Sequence, residues 1–137
     1  MILDLNKVLL YAKPDGALKQ DLSDQRKPYI TVVDAIISGE GNGPEAPDRR
    51  DTGMLIAGTN AVSVDAVCAR LMGFDWRKIP SIQKAFEITR YRLSDFRFSE
   101  INVISSEAAF NGALSNVNFA DHRPFRPHFG WKDHIEL

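Results

Sequence analysis

The chain has 137 residues, 44% of them apolar and 26% charged, with a formal net charge of −1. That length builds one domain burying roughly two thirds of its unfolded surface, and the near-neutral balance gives no electrostatic case for nucleic acid or an anionic membrane as partner. A single cysteine, Cys68, excludes an internal disulfide, a cysteine-rich zinc site and a cysteine-ligated iron–sulfur cluster within this chain.

No run approaches the ~20 apolar residues of a bilayer span. Asp4 precedes the first lysine, so no basic signal region opens the sequence, and a reducing cytoplasm is the expected compartment. Arginines gather late, at Arg90, Arg92, Arg97, Arg123 and Arg126, but the acids interleaved among them read as a solvated face.

In chain order, Ile2, Leu5, Val8 and Leu9 carry helical spacing and predict a helix from Ile2 to Tyr11. No capping group precedes it, which suggests that these residues are the C-terminal part of a longer protein. Lys13-Pro14-Asp15-Gly16 is a turn signal, and the polar run through Lys27 reads as an exposed loop. Residues 29–37 are rich in β-branched side chains and apolar at both parities, the pattern of a central strand covered on both faces. Residues 38–52 hold glycines, prolines, acids and two arginines, and read as a loop too long and polar for a hairpin connection.

Residues 54–58 form a short second strand. Asn60 is placed to cap a helix running to about Met72 and stopped by Gly73. Pro80 suits the first turn of another helix to about Ile88, and residues 101–105 read as a third strand. The tail, with Phe119, Phe125, Phe129 and Trp131, is expected to be irregular and to pack its rings on the body. This order predicts a small α/β, three-layer-like domain: a short, mostly parallel sheet of about three strands with flanking helices. So thin a sheet calls for further residues, the tail or a second subunit to complete it.

Chemistry concentrates in two places. Gly39, Gly41 and Gly43 alternate with Glu40 and Asn42, so the backbone there is free to approach a ligand closely. No lysine and serine or threonine pair follows, no helix opens directly after the glycines, and the calcium-loop pattern is absent. Hard oxygens from Asp34, Glu40 and Asn42 suit a divalent cation or a sugar hydroxyl; an ordered surface loop is the alternative. Asp65 interrupts a helix that is apolar nearly all round. A buried carboxylate must be protonated, paired or bound to something. Asp34, Glu40 and Asp65 are expected to converge where strands end, as metal ligands, with Asp65 or Glu40 as general base and Asn60 nearby. A structural role for Asp65, paired to Arg70 or Arg49, is the competing assignment.

The other side chains point less far. His122, His128 and His134 share no helix or strand face, Cys68 reads as inert packing, and Ser63 lacks a nucleophile elbow. Basic groups for phosphate chemistry are confined nearby to Arg49 and Arg50.

Three stretches in order, Asp34-Ala-Ile-Ile-Ser-Gly-Glu-Gly-Asn-Gly-Pro44, Ala57-Gly-Thr-Asn-Ala-Val-Ser-Val-Asp65-Ala and Leu71-Met-Gly-Phe-Asp75, resemble the C-terminal half of the uncharacterised family numbered 362 among domains of unknown function. Leu3-Asp-Leu-Asn6 is similar to the last helix of that family's preceding half, and the likeness covers about residues 2–90. It implies a cytoplasmic prokaryotic protein whose relatives are often fused to ferredoxin-type iron–sulfur modules, and no established reaction. The sequence departs from the family pattern at Ala35, and at Asn60 where an acid is usual; Asp34, Glu40 and Asp65 match. Two functions follow as expectations. One is a domain that binds a small molecule or divalent cation, possessing or lacking catalysis. The other is an interaction module whose glycine loop and aromatic tail meet an N-terminal half, a partner or another copy.

Overall fold

The computed structural model describes residues 1–19, 27–119 and 122–137. The polar loop expected before Lys27 falls mostly on residues 20–26, outside the described residues.

Helix α1 (Ile2–Tyr11) forms as its spacing predicts, but it buries the wrong stripe for that prediction. Leu10 and Tyr11 are buried, whereas Ile2, Leu5, Val8 and Leu9 are exposed. The Tyr11 hydroxyl donates to the Arg92 carbonyl at 2.7 Å, and its ring meets Tyr91 edge-on, which fixes the end of α1 to the body.

Strands β1 (Thr31–Asn42) and β2 (Ala46–Gly58) form one long antiparallel hairpin. This corrects three expectations. The sheet is not mostly parallel: the described residues hold two antiparallel two-stranded sheets, β1–β2 and β3 (Asn102–Val103) with β4 (Gly112–Ala113). The segment 38–52 is not a loop, because the ladder runs on to Asn42↔Ala46. Finally, β1 is not covered on both faces along its length, since Val32, Asp34 and Ile36 are exposed. The physical reason is the same for all three: charge and glycine within 38–50 are satisfied by cross-strand and tail partners, so they do not have to leave the ladder.

A bulge sits mid-ribbon, where the register passes from Ala35↔Met54 to Ile37↔Asp51 and Gly53 takes φ +70°. Before the bulge, Val33 and Ala35 face inward with Met54 and Ile56. Beyond it, Ser38 and Glu40 of β1 lie on the covered face opposite Arg50 and Asp48. The ribbon is therefore covered on opposite faces at its two ends.

Helix α2 (Ala61–Leu71) backs the inner half of the hairpin. Asn60 caps it, Oδ1 accepting from the Ser63 amide at 3.1 Å while Nδ2 donates to the Leu93 carbonyl at 2.8 Å. The expected stop at Gly73 (φ +79°) and the expected start of α3 (Pro80–Glu87) at Pro80 are both observed. Val62 packs with Leu10, Tyr11, Ala85 and Leu93 on one side. Ala66, Ala69 and Leu71 join Phe74, Ile101 and Leu114 on the other. Met54 and Ile56 of β2 lie against this second cluster.

The C-terminal segment is stitched on by backbone bonds: Phe125 amide to Met72 carbonyl, Asp75 amide to Ile135 carbonyl and Leu137 amide to Gly73 carbonyl. Phe119 and Phe125 pack inward as expected, but Phe129 and Trp131 are exposed. The third strand expected over 101–105 is reduced to Asn102–Val103, because the Asn111 side chain takes both the amide and the carbonyl of Ser105.

Candidate functional site

Glu40 is the centre of the most organised polar cluster. The ladder places it on the outer half of β1 with its side chain under the tail, and it is buried. Four donors converge on its carboxylate. Oε1 accepts from Arg123 Nη2 at 2.9 Å and Arg126 Nε at 3.1 Å; Oε2 accepts from Arg50 Nη1 at 3.1 Å and the Arg126 amide at 3.2 Å. Arg126 also pairs with Asp48, and Arg50 donates to the Arg123 carbonyl. The Arg50 guanidinium lies 3.9 Å from the centre of the Phe125 ring and 3.3 Å from His122 Nε2.

Burial alone pushes the Glu40 carboxyl up. The Arg126 amide and the guanidinium groups of Arg123, Arg126 and Arg50 more than reverse this, and hold it down at about 2. A carboxylate so stabilised is a poor proton acceptor at neutral pH, and both its oxygens are already engaged. The chemistry this arrangement performs is charge neutralisation: it clamps the tail across the tip of the hairpin. His122 is pushed below its usual value by burial first, then by Arg50 and Arg123, so it sits there as neutral imidazole.

The glycines serve the same clamp. Gly41 takes φ +77° and donates its amide to the Arg126 carbonyl at 2.8 Å. A Cβ on Gly39 would stand 2.8 Å from that of Pro47 across the ladder. Close backbone contact is needed here for strand and tail packing. Gly43 closes the turn, its amide bonded to the Gly41 carbonyl.

The remaining candidates lie apart from this cluster. Asp34 is exposed on the open face, its Oδ1 accepting from the Ile36 amide at 3.1 Å, and Asn42 is exposed at the end of β1. Asn60 is occupied as the α2 cap. Asp65 does not interrupt a packed face: the residue is exposed, because α2 buries Val62, Val64, Ala66, Ala69 and Leu71 instead. Enough protein surrounds its carboxyl to push its pKa upward, yet among the described residues no hydrogen bond or ion pair engages it, neither from Arg49, which pairs with Asp51, nor from Arg70. It lies on a ridge, with Ser81, between two shallow apolar depressions. Burial first, then the Asp65 charge, pushes the Cys68 thiol up to about 11, which leaves it unreactive. Among the described residues no group of three or more His, Cys, Asp or Glu side chains is arranged to hold a metal ion.

Sequence reasoning missed Arg123 and Arg126, which it assigned to a solvated face. They lie more than 80 positions from Glu40, and no local pattern links them. The available signal was Glu40 itself, an acid whose neighbours in sequence offered only Arg49 and Arg50 as cations.

These features define a mixed α/β domain, a helix-backed antiparallel hairpin clasped by its own C-terminal segment. Residues 1–70, covering α1, the hairpin and nearly all of α2, match the family model described as a domain of unknown function (DUF362). The chain belongs to that family. No curated protein and no solved structure matches it.

Proposed function

We propose that this chain is a protein-docking module, and that the open face of its hairpin is the surface it uses. One observation carries the reading. Val32 (60% exposed), Ile36 (51%) and Leu55 (67%) surround the single charge of Asp34 on the uncovered face of the β1–β2 ladder, continued by Ile30 and Ala57. Exposed aliphatic clusters bordered by a polar group mark surfaces that another protein covers. The inner half of the ribbon is backed on its other face by α2, and further along β1 the Glu40 clamp covers the face that is open here. The exposed Ile2, Leu5, Val8 and Leu9 of α1 give a second apolar stripe of the same character.

Among the described residues no helix is long and apolar enough to cross a membrane. The test is the triple variant Val32→Thr, Ile36→Thr, Leu55→Thr. Because all three side chains are exposed, each exchange is expected to change stability by no more than about 0.5 kcal/mol. The wild-type chain is expected to bind a hydrophobic dye and to show concentration-dependent sedimentation, and the variant to lose both while melting at the same temperature. A wild-type chain that is dye-silent and monomeric at all concentrations would contradict the reading, as would a folded variant that binds the dye and self-associates like the wild type.

A further inference from the structure

The hairpin has a free edge as well as an open face. Among the described residues the ladder partner of β2 is β1 alone and that of β3 is β4 alone, so each has one edge outside a ladder. Both line the same groove, about 740 Å³ in volume. One wall is the unbroken run 52–59 of β2 and its exit, and the other is the run 101–107 through β3. Its floor is apolar, formed by Val64, Val67 and Leu71 of α2. Successive residues on both walls contribute to the lining, so main chain as well as side chain faces the space.

In an antiparallel pair every second residue turns its N–H and C=O away from its partner. The β2 edge is thus a row of alternating partial charges, and the facing wall adds a shorter one around residues 102–104, since Ile101 bonds Phe98 and Leu114, and Asn111 takes the amide and carbonyl of Ser105. An extended backbone is the occupant whose own alternating N–H and C=O groups complement both rows. The Thr52 hydroxyl adds an independent sign: its oxygen is buried on this wall with no hydrogen-bond partner among the described residues. A floor of valine and leucine selects aliphatic side chains at every second position of the incoming strand.

We infer that this groove receives one extended segment of a separate partner polypeptide, aliphatic at alternate residues, which joins the β1–β2 and β3–β4 sheets by strand addition. A second copy of the chain supplies no such segment from its described strands. Each of them is already paired along one edge, whereas an occupant walled on both sides needs both edges free. The inference rests on the docking reading but uses the free edge of β2 rather than the face of the ladder; the two share Leu55 and Ala57, while Val32 and Ile36 lie outside the groove, so variants at those two positions make the readings fail separately.

The test uses the 137-residue chain and a fluorescein-labelled eight-residue peptide alternating valine and threonine, with a lysine at each end. Fluorescence anisotropy is expected to show saturable binding. N-methylation of every second peptide amide is expected to weaken it about tenfold or more, a change made on the ligand that leaves the protein's folding untouched. Hydrogen exchange is expected to slow in 52–59 and 102–104 together. The double variant Val32→Thr, Ile36→Thr, which alters the open face on β1 and no residue lining the groove, is expected to bind the peptide unchanged, which separates this site from that one. Absence of saturable binding, indifference to N-methylation, or protection on one wall alone would overturn the inference. Peptide-free dimerisation that itself protects both walls would overturn it in favour of a second copy.

Discussion

Replacing Glu40 by glutamine is expected to cost the fold about 3–5 kcal/mol, measured by urea denaturation of variant and wild type. The amide keeps the shape but removes the charge that four donors share. Arg50 is the reason the effect is large: its side chain is only 7% exposed, so it is left as a buried cation without its counter-ion. Arg123 and Arg126 are more than half exposed and recover part of their solvation. The loss is therefore dominated by Arg50 and its contact with Phe125. A change below about 1 kcal/mol would show that the cluster is solvated in solution and no clamp.

The pH dependence follows with a definite sign. The folded-state value of Glu40, about 2, lies below its ordinary 4.5. Its stabilisation is thus complete above about pH 4.5 and is lost as pH falls from there toward 2. His122 acts in the same direction at higher pH, because its folded value is depressed from 6.5: protonation opposes folding, so stability begins to decline below that value. Glu40→Gln is expected to flatten the lower part of the acid curve and leave the His122 part in place.

Truncating Tyr11 to alanine carries the second large effect, about 3–5 kcal/mol by the same measurement. Tyr11 is among the most completely buried large side chains of the molecule, at 1% exposure. The substitution removes its ring from the cluster of Leu10, Val62, Ala85 and Leu93, and deletes the hydrogen bond to the Arg92 carbonyl. Tyr11→Phe separates the two contributions: it retains the packing and is expected to cost about 1 kcal/mol for the lost bond. Since the rest of α1's apolar stripe faces outward, Leu10 and Tyr11 are what hold this helix in place. Selective loss of α1 protection in hydrogen exchange is the expected signature in Tyr11→Ala. An unchanged exchange pattern would show α1 anchored elsewhere.

How much of this was legible in the residues depends on the range of the forces concerned. Asn60, Gly73 and Pro80 punctuate helices through local bonds and φ preferences, and each acts where the chain predicts. The helix Ile2–Tyr11 was equally legible, but which stripe it buries was not: the intrinsic spacing of Ile2, Leu5, Val8 and Leu9 carries no information about where the body lies. The hairpin was misread because Gly39, Glu40, Gly41 and Asp48 are poor strand formers taken alone. What keeps them in a ladder is the tail, through Arg123 and Arg126, a contact that spans most of the chain. The parallel sheet and its convergent acids fell together with that misreading. With β1 and β2 antiparallel, Asp34 and Glu40 lie on one strand, and the bulge at Gly53 separates the open half of its ribbon from the clasped half. The alternation of β-branched residues in 29–37 was correctly seen as strand. Its apolar character on both parities, taken as two-sided burial, is on one side the open face itself.

The central claim is that the inner half of the hairpin leaves Val32, Ile36 and Leu55 open to another protein while turning Val33, Met54 and Ile56 to its own core. The most direct measurement is methyl relaxation by a soluble gadolinium chelate in dilute wild-type protein. The methyl groups of Val32, Ile36 and Leu55 are predicted to relax strongly, and those of Val33, Met54 and Ile56 to be shielded. Shielding of the first set equal to that of the second, at concentrations where sedimentation shows a monomer, would contradict the account.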